Sequence, residues 1–193
     1  MNFLGHLYLS SKNPHFLIGG FMADQIKGKK YLSYPSEIQK GILYHRKTDT
    51  KTDSDKSLLS LKKHLYPHVH KYAGVVIDIY LDHILAKHWK CFSDIPLNVF
   101  ARNTCFILVK NQHYLPLISK YILLRMILGS WLTGYSTFKG FSSALKGMGI
   151  RRVPGTDLMS ALIPIKQNET IFENTCLAFL KQVTENKDSL TFL

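Results

Sequence analysis

From Ser36 onward, apolar and polar positions alternate with a helical period. Ile38, Ile42, His45, Asp49 and Asp53 follow at spacings of four, three, four and four, which sets all five on one stripe. Ser36 ahead of Glu37 suits a helix start. The stripe begins apolar and ends in groups that bind cations. A second segment, about His68 to Trp89, repeats the theme: Val75, Asp78, Asp82, Leu85 and Trp89 share a face, with His83 one position round. In a third, FLIGGFMADQIKG, Asp24 is the only acid in an apolar stretch for which Gly28 is the expected helix stop. The run YILLRMILGSWLTGY at 121–135 contains Arg125 and falls short of the ~20 residues that span a bilayer, so it predicts a core helix. Breaks at Asn13-Pro14, Tyr66-Pro67, Leu115-Pro116, Gly147 to Gly149 and Pro154-Gly155 leave segments of helical length, with no internal repeat and no linker. With 193 residues, 46% hydrophobic, the chain is predicted to form one all-α domain, a helical bundle over 1–193.

Carboxylates within apolar stripes need an explanation, because a buried, unpaired one either takes up a proton or finds a cation. His45 and Asp49 stand one turn apart, as do Asp78 and Asp82, so each pair can converge on one ion or on two. Mixed oxygen and nitrogen donors suit Mn, Fe, Zn or Mg, and no cysteine accompanies them. A divalent ion in such a cluster lowers the pKa of a water and polarises a phosphoryl oxygen, which is a route to phosphoester hydrolysis. Plainer readings stand beside this one. A single Asp on a helix is most often exposed or a cap. Asp53 and Asp55, in TDTKTDSDKS, fit the end of one helix and the cap of another starting near Ser57. His6, among Leu4, Leu7 and Leu9, is open between a core histidine and a ligand. His64, His68, His70, His88 and His113 share no stripe with two acids and are read as surface or satisfied side chains. Gly147, Gly149, Arg151 and Arg152 form either a turn whose paired guanidinium groups grip phosphate or a solvated helix end. The chain has no GxSxG, GxxxxGK[ST], GxGxxG or HExxH, so nucleophilic serine and nucleotide-loop chemistry find no support.

Charge narrows the partners. A formal charge of +12 attracts nucleic acid, an anionic membrane or an acidic protein. Lysines make up 20 of the 25 basic residues and are scattered, without the clustered arginines and interleaved aromatics of a nucleic-acid surface. Neither nucleic acid nor a membrane is therefore expected. Cys91, Cys105 and Cys176 lie far apart and leave an odd thiol, and the opening MNFLGHLYLSSKNPHFLIGG makes a poor signal peptide, so a cytoplasmic location is expected.

The motifs MNFLGHLYLS, GGFMADQIKG, GILYHRKTDTKTDSD, VIDIYLDHILAKHW and SWLTGYSTFKGFSSALKGMGIRR together resemble the bacterial acyl-carrier-protein phosphodiesterases, in that order and over most of the chain. The resemblance implies a helical fold similar to permuted His-Asp metal phosphohydrolases and a divalent ion of the manganese type. It also implies removal of the 4′-phosphopantetheine arm from holo acyl carrier protein. Asp24 matches the acid of the family's apolar-Ala-Asp segment, His45, Arg46 and Asp49 its His-Arg-x-x-Asp pattern, and Asp78, Asp82 and His83 its Asp-x-x-x-Asp-His pattern; His6 and Asp53 match an N-terminal histidine and a Thr-Asp. Gly5 stands where Ala is expected and Thr48 where an aliphatic residue is expected. The metal ligands expected are Asp24, His45, Asp49, Asp78 and Asp82, joined by His6. Asp24, Arg46 and His83 are the expected catalytic residues, and Arg46, Arg151 and Arg152 are expected to hold the phosphodiester. Carrier proteins are acidic, so the basic surface would steer the encounter. The rivals are a metal phosphohydrolase acting on another phosphodiester or a nucleotide, and a non-catalytic basic module that binds no ion.

Overall fold

Glycines let two helices meet backbone to backbone. Helix α2 (Pro14–Met22) is started by Asn13, whose side chain accepts from the Phe16 amide at 2.8 Å, with Pro14 at the first position, where no N–H is needed. It lies against α3 (Ser36–Ser54). A Cβ on Gly19 would stand 2.2 Å from the Ile38 carbonyl oxygen, and one on Gly41 would stand 2.1 Å from that of Phe16. Only backbone could give way there. Gly41→Ala is therefore expected to force the helices apart at a cost of about 3 kcal/mol, read as a lowered melting temperature; an unchanged melting temperature would contradict this packing.

The computed structural model describes residues 1–11, 13–150 and 157–185, with the backbone of 151 and 152; among these the regular structure is all helical. Besides α2 and α3 it comprises α1 (Phe3–Leu9), α4 (Lys56–Val69), α5 (Ala73–Lys87), α6 (Leu97–Lys110), α7 (Leu117–Leu128), α8 (Trp131–Gly134), α9 (Phe138–Arg152), α10 (Leu162–Gln167) and α11 (Glu169–Glu185), joined by short 3₁₀ turns. The central helix is α5. It is apolar nearly all round and buries residues on every side against α1, α4, α9 and α11, as a helix enclosed by others must. Asp55 caps α4, accepting from the amides of Ser57 and Leu58, so the reading of TDTKTDSDKS as a helix end followed by a cap agrees with the structure. No helix among the described residues is long and apolar enough to cross a membrane.

Four boundaries differ from the sequence reading. The break expected at Tyr66-Pro67 is absent, because Leu58, Leu61, Leu65 and Val69 are buried along α4 and their packing carries the helix through Pro67. The chain turns instead at His70, with φ 48°, and the following helix begins at Ala73 rather than near His68. Helix α2 stops at Met22, not Gly28, so Asp24 sits on a 3₁₀ turn rather than on a helical face, while Gly28 serves a left-handed turn further on, at φ 56°. The predicted core helix at 121–135 is broken at Gly129 and Ser130 into α7 and α8. Helix α7 lies at the periphery, burying Ser119, Leu123 and Met126 while Leu117, Tyr121, Leu124 and Leu128 face outward.

Candidate metal centre

Tight packing of α2 on α3 delivers a specific hydrogen bond. With no side chain at Gly19 or Gly41, the Gly20 carbonyl comes within 2.8 Å of His45 Nδ1. A carbonyl only accepts, so Nδ1 carries the hydrogen and Nε2 is the nitrogen available to other partners. Nε2 is buried and makes no hydrogen bond, although Asp49 Oδ2 lies 3.1 Å away and Asp24 Oδ1 3.4 Å away. Facing two carboxylates, this nitrogen has room for either a proton or a cation.

His6 completes the group from α1. Its ring stacks on that of His45, with centroids 3.6 Å apart and planes 15° from parallel, and its Nε2 lies 2.9 Å from Asp49 Oδ1 and 3.0 Å from the Met1 carbonyl. Donor atoms of His6, His45 and Asp49 all fall within 4.8 Å of one another, close enough to share an ion. The Met1 amino group sits 2.9 Å from Asp78 Oδ1 and 3.5 Å from Asp49 Oδ1. A positive charge thus lies between two carboxylates. The buried imidazole nitrogens and the mixed N/O donor set fit a divalent ion.

The electrostatics divide the stacked histidines. Burial works to lower His45, but the carboxylates of Asp24 and Asp49 outweigh it and lift the imidazole to about 9. Burial and the neighbouring His45 push His6 down to about 4. For Asp49, burial opposes ionisation, yet His45, His6 and the Met1 amino group together hold it far below the usual carboxylate range. In the ion-free protein the proton therefore belongs to His45. Because its folded value is raised, the stability His45 contributes is full below pH 6.5 and is lost as pH rises through about 9. Thermal melts with chelator should lose on the order of 2–3 kcal/mol over that window. Saturating divalent ion should reverse the slope, since the ion replaces the proton. Parallel curves with and without ion would count against His45 as a ligand.

The remaining candidates are placed as follows. Asp24, half exposed on its turn, faces His45. Asp78 faces the same space from α5. Asp82 is fully buried and accepts from the amides of Leu4 at 2.7 Å and Gly5 at 3.0 Å, so both its oxygens are engaged with the start of α1. His83 points elsewhere, hydrogen-bonding the Tyr135 carbonyl at 2.7 Å and lying flat on Phe141. Arg46 clasps the turn after Asp24, donating to the carbonyls of Ile26 at 2.6 Å and Gly28 at 3.1 Å, with its guanidinium over Tyr31. Asp53 lies outside the group, paired with Lys62 at 2.9 Å. The side chains of Arg151 and Arg152 lie outside the described residues. The sequence reading overlooked Gly19, Gly20 and Gly41; a glycine pair inside an apolar helix is the signal that marks such a close approach. It also gave no place to Asn2, Tyr72 and Met148, which line the space around the acids.

A family model described as acyl carrier protein phosphodiesterase matches residues 1–183. The chain belongs to the acyl carrier protein phosphodiesterase family. Relatives bearing that description include proteins from Klebsiella pneumoniae strain 342, 32% identical with 79% of each chain covered, and Pectobacterium atrosepticum, 29% identical with 90% of each covered. A third, from Escherichia coli O6:H1, is 32% identical with 79% of each covered. No solved structure matches, so the likeness to permuted His-Asp enzymes rests on the sequence resemblance alone. For this family member, motifs at opposite ends of the first 83 residues fold onto one another: α1 supplies His6, α3 His45 and Asp49, and α5 Asp78.

Proposed function

We propose that this chain hydrolyses the phosphodiester joining 4′-phosphopantetheine to the serine of holo acyl carrier protein, with a divalent ion of the manganese class held by His6, His45 and Asp49 and flanked by Asp24 and Asp78. The observation that carries the reading is the convergence of His6 from α1 with His45 and Asp49 from α3, with the carboxylate of Asp78 from α5 facing the same space, in a chain of this family. Once bound, the ion supplies an activated water and polarises a phosphoryl oxygen.

The residues do the rest. The Gly20 carbonyl fixes the His45 ring, stacking fixes His6 against it, and Asp49 joins the two, so the donor set is rigid before substrate arrives. Asp24, exposed on its turn and lowered by its hydrogen bond with His45, is ionised at neutral pH and stands as the carboxylate that would take a proton from an attacking water. Arg46 supports that turn from beneath, through Ile26 and Gly28, and so positions the base. A net charge of +12 favours an acidic protein substrate.

Mass spectrometry of holo carrier protein incubated with this chain and Mn tests the proposal. Loss of the arm's mass, prevented by chelator, is expected; a carrier protein left intact under both conditions would overturn it, and cleavage only of other phosphodiesters would favour the rival phosphohydrolase.

A further inference from the structure

A cavity of about 350 Å³ opens beside the metal centre. Its walls include the rings of Phe3, Trp131 and Tyr135 with Ala144 and Met148, and its rim carries the exposed polar residues Lys139 and Ser143. The volume lies in the range, ~300–1,000 Å³, of pockets that take small molecules, and the mostly apolar lining with few polar groups is typical of them. Two residues, Asn2 and Met148, also line the space around Asp24, Asp49 and Asp78, so the cavity and the donor group share a wall. Asn2 donates to the Tyr135 hydroxyl at 3.0 Å, and His83 fixes the Tyr135 backbone from behind.

We infer that this cavity binds the pantetheine arm, the side of the scissile phosphodiester that keeps the phosphate while the serine oxygen leaves with the carrier protein, as a pocket for a slender amide chain with an apolar gem-dimethyl head. The inference rests on the functional reading above. A phosphodiester at the donor group has two substituents. One is the surface of a folded carrier protein, which needs an open face. The other is a flexible chain of one to two atoms' width, which fits an enclosed pocket. The cavity shares the wall residues Asn2 and Met148 with the space around the acids and combines a volume of about 350 Å³ with an apolar lining. Aromatic rings would cover the gem-dimethyl head while rim groups meet the amides.

Pantetheine itself, lacking the phosphate, is the probe. Titrated into this chain and followed by calorimetry, it should bind the wild type and bind Ala144→Phe at least about tenfold more weakly. Ser143→Trp, at an exposed rim position, should do the same and keeps the test valid if Ala144→Phe fails to fold. Absence of binding to the wild type, or wild-type binding by both variants, would overturn the pocket. If pantetheine binds as expected but holo carrier protein stays intact with Mn, the functional reading falls and the pocket stands. If the arm is released while both variants bind pantetheine as the wild type does, the reading stands and the pocket falls.

Discussion

Asp49→Ala is expected to abolish release of the arm and the thermal shift produced by divalent ions, with kcat/KM lowered about a thousandfold or more. The reason is that Asp49 is the one group that His6, His45 and the Met1 amino group all approach. Its oxygens lie 2.9 Å from His6 Nε2, 3.1 Å from His45 Nε2 and 3.5 Å from the Met1 amino group. Without it the two rings have no common anion and the Met1 charge keeps only Asp78. The fold should survive, because Asp49 sits at a partly exposed position on α3 whose neighbouring turns are anchored by Ile38, Ile42 and Thr48 in the core. Asp24→Ala, by contrast, removes a half-exposed carboxylate that meets the group only at His45, and about tenfold to hundredfold is the expected loss. Turnover and calorimetric ion titration on both variants measure the ranking. Wild-type ion binding and turnover in Asp49→Ala would remove the centre from the mechanism.

How much of this was legible in the chain depends on what kind of fact is asked for. The stripe Ile38, Ile42, His45, Asp49 is set by helical period alone, and the helix carries it as read. The donor types were likewise legible, since an acid in an apolar run has few explanations. Periodicity cannot say which of two acids on one face points to an ion and which to a neighbouring helix. Asp78 and Asp82 share a stripe, yet one faces the Met1 amino group and the other the amides of Leu4 and Gly5. That difference is made by where α1 docks, a contact across 78 residues of chain. The same holds for Arg46: adjacency to His45 in sequence turns its side chain about a hundred degrees round α3, toward the 26–28 turn. The outward face of α7 was misread for a related reason, because an apolar run with no clear stripe carries no statement of which side meets the core.

Asp82→Ala is expected to act on stability first and on chemistry only through it. The Asp82 side chain accepts two buried backbone N–H groups at the start of α1, donors that have no partner within the helix. Stranding those donors should cost about 3–5 kcal/mol, or roughly 10 °C in melting temperature for a chain of this size. Since α1 carries His6, ion affinity should weaken too, but Asp82→Asn, which keeps one acceptor, should recover part of both; a ligand to the ion would show no such rescue. Acidity gives a second discriminant. Burial raises the Asp82 carboxyl to about 7 against the pull of the two amides. The folded protein therefore holds a proton that the unfolded chain gives up at ordinary carboxylate pH, and this contribution to stability is full at low pH and lost as pH rises toward 7. Asparagine cannot titrate, so the stability gap between wild type and Asp82→Asn should narrow as pH is raised from about 4 to 7. If Asp82→Ala melts like the wild type while ion binding disappears, Asp82 belongs to the donor set, and the division between carboxylates that hold the ion and a carboxyl group that holds α1 is lost.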